Sequence, residues 1–211
     1  YGAWYHIDAA YGGFFLLLDE YREKFRGIDR ADSVVMDPHK GMFLPYGSGA
    51  VLLKDAQKLI AANTHQAAYM QDAYGLDEIN PADCGPELSR PFRGLRMWLP
   101  LHLHGVEPFR AALREKVLLC RYFHEEIQKM GFETGPFPEL SVTMFRYPGK
   151  DPEVFNRKLM DLLHADGRVF FSSTQVDGRF WIRCAVCSFR THLAEIRIAL
   201  DMIGECMANL I

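Results

Sequence analysis

Lys40 and Asp8 are the two side chains whose types and settings suit chemistry. Lys40 closes the run Asp37-Pro38-His39-Lys40-Gly41, and Asp8 opens Asp8-Ala9-Ala10-Tyr11-Gly12-Gly13. A lysine amine forms a Schiff base with an aldehyde, and a carboxylate pairs with a protonated pyridine nitrogen. An aspartate and a lysine used in this way are the pair expected for pyridoxal phosphate (PLP). Each alone says little. An aspartate at a strand end is usually a cap or turn residue, and a lone lysine is usually a solvated surface charge. The glycine-rich turn after Asp8 gives a flat ring room to approach the backbone.

The flanking elements place both residues. Residues 4–7 are an apolar run that predicts a buried strand ending at Asp8, and residues 33–36 predict a second ending at Asp37. Between them, residues 14–26 pass from apolar to charged and read as mainly helical, with Gly27 as the stop. Strand–helix–strand favours parallel neighbours. In such sheets chemistry collects beyond the carboxyl ends of the strands, where Asp8 and Lys40 both fall.

HIDAAYGG followed by ADSVVMDPHKG closely resembles the group II PLP-dependent amino-acid decarboxylases, a family that includes the aromatic-L-amino-acid and glutamate decarboxylases. The resemblance covers essentially the whole chain and implies an α/β fold of fold type I. It implies residues 1–105 as the C-terminal part of a PLP-binding large domain, then a linking helix and small C-terminal domain over 106–211. It makes Lys40 the Schiff-base lysine and Asp8 the partner of the pyridine nitrogen. His39 would help hold the cofactor phosphate, and Ala10 would pack against the ring. Tyr69, in the family's catalytic loop, would donate a proton to the substrate carbon after carbon dioxide leaves. Arg90 falls where family members bind the substrate carboxylate. The implied activity is decarboxylation of an L-amino acid to its amine, by a cytoplasmic homodimer with its active site at the interface. Lys40 and Asp8 would equally serve another fold type I PLP lyase or an aminotransferase. A non-catalytic fragment contributing only dimer surface is the reading from outside enzymology. Asp37 and Gly41 depart from the asparagine and bulky residue common beside the lysine in the animal enzymes, which leaves the substrate open.

Composition sets limits. The chain has 211 residues, is 49% hydrophobic and 24% charged, and carries a formal net charge of −3. These are ordinary values for a globular protein, with no basic footprint for nucleic acid. No apolar run is long enough to span a membrane, and none reads as a signal peptide. Five cysteines do not make a disulfide framework, which fits a reducing compartment. Cys184-x-x-Cys187 falls in the strand expected over 180–187, on opposite faces by its odd offset, so it reads as structural. The chain begins at Tyr1, without a methionine, beside an expected central strand. It is therefore expected to be the C-terminal part of a longer enzyme, inactive and weak in PLP binding by itself.

Residues 47–54 read as a further strand, antiparallel to a neighbour because the connection is short. Asp55 can cap a helix over 56–61. Residues 63–87 form a long irregular stretch containing Tyr69. Ser89 can cap a helix running to His104 and ending at Gly105. Within it, Arg93 and Arg96 read as ordinary ion pairs. Residues 108–130 show helical apolar spacing through Leu113, Val117, Cys120, Phe123 and Ile127. His102, His104 and His124 lack metal-site spacing. Beyond Gly131, strands over 140–147, 169–175 and 180–187 alternate with helices over 152–166 and 192–210, and Asp177-Gly178 is a hairpin signal.

Overall fold

The computed structural model describes residues 2–64 and 79–210 and divides at Gly105 into two compact units, Tyr1–Gly105 and Val106–Ile211.

In the first unit, β1 (His6–Asp8) lies parallel to β2 (Ser33–Met36), with Asp8 opposite Val35. β3 (Ala50–Leu53) pairs antiparallel with β2, completing a sheet of order β1-β2-β3. The expected buried character of the first strand is not found. His6 and Asp8 are exposed and Ile7 only half-buried, because β1 has a single strand neighbour among the described residues. The connection from β1 to β2 is helical but not α-helical. It is three 3-10 turns, Gly13–Leu17, Asp19–Phe25 and Ile28–Arg30. Phe15, Leu18 and Tyr21, all buried, recur every three residues, which is the period of that helix. Leu18, extended at φ −86° and ψ 120°, separates the first two turns. Gly27, at φ 91°, stops the second.

β2 runs directly into a single turn, α1 (Pro38–Gly41), which carries Lys40. After β3, Asp55 caps α2 (Ala56–Asn63) by accepting from the Gln57 amide at 3.0 Å. α3 spans Leu95–His104 and ends at Gly105, φ 71°. Ser89 does not cap it. Pro91 disfavours the helical region for Arg90, so the helix starts only after Gly94, without a side-chain cap.

In the second unit, α4 (Glu107–Lys129) precedes a four-stranded antiparallel sheet of order β4-β5-β7-β6. Its strands are β4 (Glu133–Thr134), β5 (Val142–Arg146), β6 (Ser172–Val176) and β7 (Arg179–Ala185). β4, only two residues long, has no hydrophobic signature to announce it. α5 (Pro152–Asp166) and α6 (Leu193–Ala208) complete the unit. The buried stripe of α4 meets the sheet at Phe123, which stacks edge-on against Phe145 at 5.4 Å. Asp177 (φ 51°) and Gly178 (φ 73°) form the β6–β7 turn with both residues left-handed, as a two-residue hairpin requires.

Candidate active site

The parallel pairing brings the ends of β1 and β2 together, and hydrogen bonds then run from one motif to the other. Asp8 Oδ1 accepts from the Ala10 amide at 3.1 Å, closing a turn at the end of β1. The Ala10 carbonyl accepts from the Asp37 amide at 3.1 Å. The Asp37 carbonyl accepts from the Lys40 amide at 2.9 Å, starting α1. Asp37 Oδ2 lies 2.6 Å from Lys40 Nζ and 3.7 Å from His39 Nε2. Asp8, Ala10, Asp37, His39 and Lys40 therefore form one constellation at the carboxyl end of the parallel pair.

Close backbone packing sets this geometry. A Cβ on Gly13 would fall 2.7 Å from the Met36 side chain, and one on Gly41 would fall 2.7 Å from Phe14. Gly13 thus serves close contact between its turn and β2. Three residues past Lys40, Phe43 sits at φ 56°. That is a strained conformation for an aromatic residue, and Phe43 is held between the buried Met42 and Leu44.

The residues fit a cofactor with an aldehyde and a phosphate. The Lys40 side chain is 45% exposed and can reach outward. The Asp8 carboxylate is exposed at the strand end. The His39 ring, 5.1 Å from the Tyr46 ring, leaves its Nδ1 buried without a partner among the described residues. An imidazole nitrogen in that condition suits an incoming acceptor or donor.

Arg90 is half-buried. Its guanidinium donates to the Glu87 carbonyl, and its Nε is buried without a partner among the described residues. Arg93 forks onto the Glu87 carboxylate at 2.5 and 3.0 Å, as expected of an ion pair. That hydrogen bonding holds the Glu87 carboxyl below its usual range. Arg96 makes a hydrogen bond to the Tyr46 carbonyl at 2.6 Å, and no ion pair among the described residues. It ties the start of α3 to the loop after Lys40, and Tyr46 in turn packs on His39. Neither Arg96 nor Tyr46 carries a sequence signal for this contact. Tyr69 lies outside the described residues.

The cysteine pair lies in the second unit. β7 ends at Ala185, so Cys187 lies past the strand and is exposed while Cys184 is buried. Burial pushes the Cys184 thiol well above its ordinary range and the Cys120 thiol up to about 12, so both are poor nucleophiles. His124 is buried, its Nδ1 2.8 Å from Thr143 Oγ1.

Residues 1–147 match the family described as pyridoxal-dependent decarboxylase conserved domain. Tyrosine decarboxylase 2 of Arabidopsis thaliana is 33% identical, over 97% of this chain and 39% of its own length. Phenylacetaldehyde synthase of the same plant is 29% identical, over 97% of this chain and 43% of its own length. Among solved structures, Catharanthus roseus tryptophan decarboxylase in complex with L-tryptophan aligns with a TM-score of 0.88 at 29% identity, covering 99% of this chain and 44% of that one. The chain spans about two fifths of the length of these curated relatives.

Proposed function

This chain belongs to the pyridoxal-dependent decarboxylase family, with its α/β fold of fold type I, and from that premise we propose that it serves PLP-dependent decarboxylation of an L-amino acid to its amine. The observation that carries the reading is the hydrogen-bonded path from Asp8 through Ala10 and Asp37 to Lys40. It sets an amine and a carboxylate at one end of one parallel strand pair, as the cofactor chemistry needs.

PLP, when bound, supplies an aldehyde for an amine and a protonated ring that takes up the electron pair left by departing carbon dioxide. Lys40 would provide the amine that holds the aldehyde. Asp8 keeps the ring nitrogen protonated. A carboxylate beside a cationic nitrogen typically raises its pKa by about 1–3 units, roughly 1.4 kcal/mol per unit in favour of the charged ring. His39, whose Nδ1 is buried without a partner among the described residues, would help hold the phosphate, and Ala10 would pack against the ring. Arg90 takes the substrate carboxylate and orients the bond to be broken. Tyr69 returns a proton to the carbon that lost carbon dioxide.

Two of the three relatives named above act, by their names, on tyrosine and on tryptophan, which favours an aromatic substrate. The other, by its name, forms an aldehyde, so aldehyde release by the same residues is the second reading. A homodimer with its active site at the interface is part of this proposal. So is a reducing, cytoplasmic location, in keeping with five unpaired cysteines. The test is a screen of L-amino acids with the intact protein and PLP, following amine, aldehyde and carbon dioxide together. Amine and carbon dioxide in equal amounts support decarboxylation. Aldehyde in place of amine supports the second reading, and release of neither product from any amino acid overturns both.

A further inference from the structure

Asp37 stands at the N-cap of α1, where an aspartate ordinarily accepts a hydrogen bond from an amide of the first turn. It accepts none with its side chain. Its carboxylate, only 16% exposed, points instead along the helix to Lys40 Nζ at 2.6 Å, with His39 Nε2 at 3.7 Å. The main chain does not depend on that carboxylate for its place. The Asp37 amide is held by the Ala10 carbonyl, and its own carbonyl accepts from both Lys40 and Gly41. Its other oxygen lies against Gly49, where a Cβ would fall 3.3 Å from Oδ1. The side chain is thus fixed by its surroundings and committed to the lysine.

We propose that Asp37 is a positioning residue that acts as the resting counter-ion of Lys40, holding the amine whenever it is not bonded to the cofactor. This rests on the reading of Lys40 as the cofactor lysine. An amine adds to the cofactor's carbon through its lone pair, forming one C–N bond as water leaves a free aldehyde, or as the substrate amine leaves once substrate is attached. The 2.6 Å contact holds Nζ on the Asp37 carboxylate, so a lysine displaced by substrate is parked there and is kept from adding back to the cofactor's carbon. An asparagine has the same shape but no charge, and relaxes that hold.

The test reads the amine directly. The intact protein, freed of cofactor, is treated with formaldehyde and cyanoborohydride, and methylation of each lysine is followed by peptide mass. Exposed Lys150 and Lys158 serve as internal references. Asp37→Asn is expected to speed methylation of Lys40 by about two- to five-fold, the size of an exposed ion pair, with the references unchanged. Asp37→Glu, which keeps the charge, stays near wild type. Wild-type or slower methylation of Lys40 in Asp37→Asn overturns the proposal, as does an Asp37→Glu that behaves like Asp37→Asn. If thermal unfolding shows that Asp37→Asn does not fold, salt on the wild type decides. Screening the pair speeds Lys40 relative to Lys150, and no such change overturns the proposal. In a separate arm, borohydride trapping of PLP on a lysine other than Lys40 overturns the underlying reading, and leaves the methylation result to report on the Asp37–Lys40 pair itself.

Discussion

The carbonyl of Ala10 accepts from the amide of Asp37 at 3.1 Å, joining the turn after β1 to the start of the helix that carries Lys40. Two motifs far apart in the chain thereby become one piece of backbone. Asp8 and Lys40 hang from its two ends, each fixed by its own local hydrogen bond.

Asp8 is exposed and makes one turn-closing hydrogen bond. Asp8→Ala should therefore change thermal stability by no more than about 1 kcal/mol. Loss of the ring's counter-charge should lower turnover by about 10- to 1000-fold, the equivalent of 1–3 pKa units, with PLP still trapped on Lys40. Amine release, unfolding temperature and the trapped adduct are measured on one preparation. Unchanged turnover removes Asp8 from the chemistry.

Tyr69→Phe keeps the ring and removes only the hydroxyl proposed as the proton donor. A positioned acid typically contributes about 10²–10⁴-fold, so turnover should fall by that order while cofactor binding holds. Product should pass from amine toward oxygen-dependent aldehyde. Product analysis with and without oxygen checks this, and wild-type amine release excludes Tyr69.

Asn156 is fully buried and bridges α5 to the end of β5. Its Oδ1 accepts from the Tyr147 amide at 2.7 Å, and its Nδ2 donates to the carbonyls of Tyr147 at 2.9 Å and Pro152 at 2.7 Å. Asn156→Ala leaves buried backbone groups unpaired, at about 1–3 kcal/mol. Denaturant titration should show that loss with little change in slope.

His124 carries a pH signature. Burial lowers its pKa below the ordinary value of 6.5, so the fold holds it neutral while the unfolded chain takes up a proton. Its contribution is fully present above about pH 6.5 and is lost as pH falls through the lower folded value. The slope for one such proton cannot exceed about 1.4 kcal/mol per pH unit. Stability measured from pH 7.5 to 5 should fall more steeply in the wild type than in His124→Gln. Parallel profiles would contradict this origin.

Much of this was legible in the sequence, where local signals were strong. Asp177-Gly178 dictated its turn, Asp55 its cap, and the apolar spacing of α4 its buried face. The parallel pairing of β1 and β2 followed from two apolar runs joined by a helical connection. What was not legible depended on contacts across distance. Ser89 looked like a cap until Pro91 and Gly94 deferred the helix. Residues 14–26 carried helical composition, but Phe15, Leu18 and Tyr21, buried at a three-residue period, lie in 3-10 turns and the link between them. Arg96 reads as one more surface charge until folding brings the Tyr46 carbonyl to it. Asp37 could be seen beside the lysine, but not that its carboxylate bypasses the cap to reach it.

The most direct measurement is on Lys40 itself. The intact protein is incubated with PLP, reduced with borohydride, digested and mapped by mass spectrometry, beside the Lys40→Ala variant. The predicted result is a phosphopyridoxyl group on Lys40 in the wild type, with adduct, visible absorbance and amine release all lost together in Lys40→Ala. An active-site adduct on another lysine, or amine release that survives in Lys40→Ala, would contradict it.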